Sequence, residues 1–260
     1  PGSADRKDAP DRDSTRAWRE AVPHLQELWR KHEEKWPDAS RPPADRSQDA
    51  PGSWRSDSGY PLDERDNRAV ESEYQKVAQN ENRITELMGD IEHASDGRLV
   101  GKEFRLKGEQ RFKEKVAEQK RINPDASVSE IVSAVRDGIR YTIQHNEGEY
   151  KHGIVDDLRN IKAHGLELIR LRNSWSSTEY RGINSQWLDR RTGQAFEIQF
   201  HTPSSFEAKQ LTHDAYERLR TLKGDSALEL AETRELHDFQ EIVCSKVSIP
   251  PNVRDIPDYP

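Results

Sequence analysis

The sequence predicts an α+β fold, a mixed β-sheet flanked by helices with a helical extension on its N-terminal side. Three observations carry this. Short strand-like alternations between residues 104 and 200 are interleaved with helical stretches, and amphipathic helices bracket both ends. Charged residues make up 34% and hydrophobic ones 32% of 260 residues, which suits one compact domain with polar flanks better than a core along the whole length.

The elements follow in order. Residues 14–36 read as an amphipathic helix capped by Ser14, with Trp18, Val22, Leu25, Leu28 and Trp29 at helical spacing. Pro23 inside that pattern predicts a later start or a kink. Residues 37–60 turn to Pro, Ser, Asp, Arg and Gly and read as a linker. A second helix fits 63–93, with Val70, Tyr74, Val77, Ile84 and Leu87 along one side. Next come a strand at 104–107, a basic helix to about residue 122 and a short helix opened by Pro124, Asp125 and Ser127. A strand at 137–143 and a helix at 147–164, closed by Gly165, follow. Residues 166–175 alternate as a strand, with Leu166, Leu168, Arg170 and Arg172 on one face and Glu167, Ile169 and Leu171 on the other. Strands at 183–188 and 196–200 are joined by a hairpin turn over 189–193. One helix spans 203–221 and the last 226–247, before a proline-rich tail expected to lie extended over the surface. The organisation is therefore 1–62, helix and flexible linker; 63–247, the folded domain; and 248–260, the tail.

Bulk properties exclude several classes. A net charge of −7 argues against a general nucleic-acid coat, which needs a basic surface to release counterions. The single cysteine, Cys244, excludes an internal disulfide and a multi-cysteine zinc site, and reads as a small buried hydrophobe. No run approaches the roughly 20 apolar residues of a membrane span. No charged-then-apolar leader opens the given sequence, so the compartment is not legible from it.

Five groups of residues have the chemistry of a phosphate-handling site. Arg105 and Lys107, with Lys115 eight residues further on, can surround a polyphosphate with point charges and one planar fork. Asp137 opens a strand and Arg140 lies within it, on the other face unless Gly138 introduces a bulge, as in a metal site or a structural ion pair. Phe196 to Thr202 alternates strictly, placing Glu197, Gln199 and His201 on one face, which is either a solvated face or a cleft for metal and phosphate. The Tyr180-Arg181-Gly182 loop, with Asn184 just after it, offers an aromatic ring for a base. His213 and Tyr216 share a helix face.

Singly each group is weak; in this order they resemble the synthetase domain of the RelA/SpoT family over residues 97–220. The family's Arg-x-Lys-x₃-Ser-x₃-Lys is met at Arg105, Lys107 and Lys115, with Arg111 in place of the serine. Its Gly-Tyr-Arg-Ser-Leu-His loop corresponds to Glu179-Tyr180-Arg181-Gly182-Ile183-Asn184. Its Glu-Ile-Gln-Ile-Arg-Thr strand corresponds to Glu197 to Thr202, and its His-x-x-Tyr to His213 and Tyr216. Three departures stand out. Val135 holds the usual metal-aspartate position, two residues before Asp137. Glu179 and Asn184 replace the loop's Gly and His, and His201 replaces an Arg. The last two fall on the acceptor side and look more like the divergent secreted or toxin-type branch.

The resemblance implies a Mg²⁺-dependent pyrophosphokinase that moves the β,γ-pyrophosphate of ATP to the 3′-hydroxyl of a purine nucleotide and releases AMP. In that scheme Arg105 and Arg140 sandwich adenine, Lys107 and Lys115 hold the ATP phosphates, and Asp137 and Glu197 bind the metal. Glu197 also takes the hydroxyl proton. Tyr180, Arg170, Arg172, Gln199, His201 and Asn184 serve the acceptor, and His213 and Tyr216 support the site. The pairs His213-Asp214 and His237-Asp238 read as incidental rather than as a hydrolase centre. The implied setting is a toxin or secreted effector acting in a target cell's cytoplasm, with an immunity or antitoxin protein as partner. The alternatives are a toxin pyrophosphorylating tRNA 3′ ends, for which only Lys120-Arg121 and Arg190-Arg191 offer basic steps, and an inactive nucleotide-binding module.

Overall fold

The computed structural model describes residues 12–37, 46–47, 49–222 and 224–260. The remaining positions, including part of the expected linker, lie outside the described residues. The first helix, α1 (Arg12–Lys35), already contains Ser14 and runs through Pro23 without a break. The second half of the expected linker forms a small antiparallel hairpin, β1 (Trp54–Arg55) with β2 (Pro61–Leu62). Asp63 caps α2 (Glu64–Ala94) by accepting from the Asp66 backbone N–H.

Five strands form the sheet, in the order β3 (Arg98–Val100), β4 (Arg140–Gln144), β7 (Gln194–His201), β6 (Ile183–Asp189), β5 (Leu166–Asn173). Only β4 and β7 run parallel, so the sheet is mixed, as expected. The parallel pair needs a long connection, which α5 (Tyr150–Ala163), β5 and β6 supply. The expected strand at 104–107 is instead a 3₁₀ turn, Lys102–Phe104, followed by a single bridge from Leu106 to Ile139. Helices α3 (Glu109–Ile122) and α4 (Val128–Ala134) come next in the chain, and Ser127 opens α4 with a reciprocal capping box to Glu130. The single helix expected at 203–221 is two, α6 (Pro203–Leu211) and α7 (His213–Thr221). Thr212 separates them, its hydroxyl bonding the carbonyls of Ala208 and Lys209. Helix α8 (Ala227–Ser245) follows.

One face of the sheet is apolar: Tyr141, Ile143, Ile183, Trp187, Phe196, Ile198, Phe200 and Leu171 are all buried. A bulge in β5 between Leu168 and Arg170 sets the remaining pattern, because Leu168 pairs with Trp187 and Arg170 with Gln186. The extra residue, Ile169, moves Leu168 to the core side and leaves Arg170 and Arg172 opposite, which corrects the strict alternation expected there.

Helix α1 is docked rather than free. Trp18 and Leu25 are fully buried, the Trp18 indole donates to Glu207 on α6 at 2.6 Å, and Trp36 donates to Glu235 on α8 at 2.8 Å. The tail is pinned to the outer edge of β5, where Leu171 and Tyr259 exchange backbone hydrogen bonds and Val253 and Ile256 are buried. Cys244 is buried, and burial pushes its thiol up to about 11.

Candidate active site

The second face of the sheet carries the polar residues in two rows fixed by strand register. Arg140, Glu197, Gln186 and Arg170 are consecutive cross-strand partners; Thr142, Gln199, Asn184 and Arg172 form the next row. Partners across a ladder point to the same side, so β4, β7, β6 and β5 each contribute to one surface. Glu197 (7% exposed), Gln199 (5%) and His201 (0%) are buried, which rules out a solvated face.

Asp137 precedes β4 rather than lying on it, so strand alternation does not separate it from Arg140. The Arg140 guanidinium sits between both acids, with Nη2 at 3.3 Å from Asp137 Oδ2 and Nε at 2.8 Å from Glu197 Oε1. The Nε contact is a charge contact without hydrogen-bond alignment. Lys107 Nζ lies 3.3 Å from the same Asp137 oxygen, and Lys115 reaches the other. Burial alone would raise the Asp137 pKa, but Lys107, Lys115 and Arg140 outweigh it and hold the group at about 2. Burial in turn lowers Lys107, against the pull of Asp137. Val135, in the position where the resemblance places a metal aspartate, is in the core.

The backbone of residues 105–107 runs beside the start of β4, with Arg140 N donating to Arg105 O at 2.7 Å and Lys107 N to Gly138 O at 2.9 Å. This delivers Lys107 to Asp137. The Arg105 side chain, however, turns to Glu81 on α2, with Nε to Oε1 at 2.5 Å, in a cluster with Thr85 and Tyr141. No sandwich of Arg105 against Arg140 is formed.

From the loop before β6, the Tyr180 hydroxyl donates to Asn184 Oδ1 at 2.7 Å and meets His201 Nε2 at 3.0 Å, while His201 Nδ1 meets Ser205 at 2.9 Å. Burial pushes His201 well below its ordinary range, so it stands neutral where the resemblance expects an arginine's charge. His201 thus props Tyr180 and carries no charge. Gly182 is required by space: a Cβ there would fall 2.7 Å from the His201 ring and 2.9 Å from the Tyr180 hydroxyl. Arg170 and Arg172 are exposed on the polar face, about 10 Å from Glu197 and Gln199 along their rows. His213 and Tyr216 are exposed on α7, and His213 pairs only with its neighbour Asp214 among the contacts described, so neither is seen to support the site.

Two residues that motif reading missed belong to this face. Gln186 lies in register between Glu197 and Arg170. Lys209 of α6 donates to Gln199 Oε1 at 2.6 Å, and Gln199 Nε2 donates onward to Glu197 Oε1 at 2.5 Å. A same-face neighbour in register could have exposed Gln186; Lys209 looked like any charge on a helix. A cavity of about 650 Å³ lies elsewhere, between α1, the β1–β2 hairpin, α3, α7 and α8, and is lined by Trp29, Tyr60, Arg111, Glu217 and Arg218 among others. It contains none of the residues of the polar face.

No family model matches the sequence, and no curated protein matches it. The structure is similar in outline to the Type VI effector Tas1, solved with its immunity protein (20% identity, 68% of this chain and 97% of that one, TM-score 0.43). It is also similar to small alarmone synthetase 1 from Bacillus subtilis, solved with its product pppGpp (16%, 70% and 94%, TM-score 0.37). A third likeness is to a GTP pyrophosphokinase family protein from Streptococcus pneumoniae (15%, 68% and 87%, TM-score 0.44). These are likenesses of fold; the roles of residues rest on the chain's own geometry and on its motifs.

Proposed function

We propose that this chain is an ATP:nucleotide 3′-pyrophosphokinase, acting on a purine nucleotide as a toxin or effector. The observation that carries the reading is the gathering of Asp137 and Glu197 around one guanidinium, beside Lys107 and Lys115, in the motif order of the RelA/SpoT synthetases. Three cations, Lys107, Lys115 and Arg140, face two acids here, within a chain of net charge −7. That excess of positive charge suits a triphosphate.

The donor set also fits a hard divalent cation. Asp137 is ionised throughout the physiological range, both acids offer oxygen only, and Mg²⁺ is commonly held by one or two carboxylates with substrate phosphates completing its shell. Asp137 and Glu197 would hold Mg²⁺, which when bound neutralises charge on the phosphate oxygens. Lys107 and Lys115 grip the polyphosphate once it replaces Asp137 as their partner. Arg140 then stacks on or pairs with the donor, and Arg105 joins it only by leaving Glu81. Glu197 accepts the acceptor's 3′-hydroxyl proton, the oxygen attacks the β-phosphorus, and the bond to the α-phosphate oxygen breaks. The products are the 3′-diphosphorylated acceptor, AMP and a proton.

Glu197→Gln tests this. The proposal expects AMP release from ATP and acceptor to fall by about 10²-fold or more, with a cooperative thermal melt retained. Near-full activity in that variant refutes the assignment.

A further inference from the structure

Gln199 lies between a pure donor and a pure acceptor. Its Oε1 takes a hydrogen bond from Lys209 Nζ at 2.6 Å, and its Nε2 gives one to Glu197 Oε1 at 2.5 Å. An ammonium can only donate and a carboxylate can only accept, so the amide has one satisfactory orientation. We propose that Lys209 is a positioning residue for the reaction, locking the Gln199 amide so that it holds Glu197 from β7 in place. This rests on the pyrophosphokinase reading for its catalytic consequence but not for its structural one.

Lys209 is itself fixed. Its ammonium lies 5.6 Å from the centre of the Phe206 ring, one helical turn earlier on α6, and that ring packs against His201. Burial, together with Arg140 and against Glu197, lowers the ammonium to about 8, which leaves it predominantly charged at neutral pH. Helix α6 is anchored at its start by the Thr202–Ser205 capping box and on its outer side by the Trp18–Glu207 hydrogen bond. The cation is thus delivered to Gln199 by an anchored helix. Without it, Gln199 Oε1 is a buried acceptor with a lost partner, and the amide can turn to present oxygen to Glu197. A group that fixes a reacting carboxylate through one intermediate typically affects rate more than substrate binding.

The test uses the full chain labelled with ¹⁵N, the Gln199 side-chain amide being assigned by its loss in Gln199→Glu. In the wild type the two amide protons are expected to be widely split by the carboxylate. Lys209→Met should collapse the splitting, and Lys209→Arg should keep it. With ATP, Mg²⁺ and an acceptor that supports turnover, Lys209→Met is expected to lower kcat about 10-fold or more while the KM for ATP stays within about 3-fold, and Lys209→Arg to recover most of the rate. An unchanged Gln199 amide in Lys209→Met overturns the inference, as does wild-type kcat in that variant or a Lys209→Arg enzyme no better than Lys209→Met. Should the wild type transfer no pyrophosphate to any acceptor, the functional reading falls, and the amide resonances still decide whether Lys209 orients Gln199.

Discussion

Asp137 is the residue on which the local electrostatics turn. It balances Lys107, Lys115 and Arg140, and its pKa of about 2 lies below the 3.8 of an unperturbed aspartate. A depressed carboxylate contributes stability that is present above the unfolded value and lost as pH falls through the folded one. Asp137 should therefore contribute about 2 kcal/mol at neutral pH, disappearing between about pH 4 and pH 2. Asp137→Asn is expected to remove a similar amount at pH 7 and to flatten that part of the acid limb, as read by urea unfolding across the range. An acid limb identical to the wild type's would show that the three lysine and arginine contacts carry no net weight. At this scale the sequence exposed much of the site. Glu197, Gln199, Arg140, Lys107 and Lys115 were legible because motif order constrains them, Asp137 because it is the acid two residues after the motif position that Val135 fills, and they meet in space. The neutrality of His201 was not, since it comes from burial against Tyr180, Ser205 and Phe206, a fact of packing. Lys209 was not, because nothing in a helix's sequence says which strand residue its side chain will meet.

Among the elements, periodicity located the long ones well. The fit of 63–93 to α2 and of the 189–193 turn to the β6–β7 hairpin follows from strong patterns and a glycine in the left-handed region at Gly193. It failed where tertiary contacts decide. Three-residue β3 is too short to show a period, and the Thr212 break interrupts no apolar stripe. The β5 bulge at Ile169 puts Leu166, Leu168 and Leu171 on one side of the sheet, and only pairing with β6 fixes it. Helix α1 illustrates docking: its tryptophans were legible as an apolar face, but not the surface they cover. Trp18→Ala deletes a fully buried side chain and its bond to Glu207, so a loss of about 3–5 kcal/mol is expected by chemical denaturation. The same variant should become sensitive to limited proteolysis within residues 12–37. Unaltered stability and protease resistance would mean that α1 does not brace α6.

Over the whole molecule, an apolar sheet face covered by helices leaves the opposite face to collect charge. Cations come from the 105–107 segment, α3, β4 and α6, and acids from the β4 approach and β7. A face assembled from so many separate elements exists only in the folded state, so its chemistry can be assigned by what it does to an intact substrate. The most direct measurement follows both ends of the transferred group. The folded protein is incubated with Mg²⁺, ATP labelled at the β-phosphorus and, in turn, adenine and guanine nucleotides or tRNA, and the products are separated by anion exchange. Expected are AMP and a 3′-diphosphorylated purine nucleotide in equal amounts, with the β label in the nucleotide. ADP with inorganic phosphate, or ATP left intact beside every acceptor, would contradict the pyrophosphokinase reading.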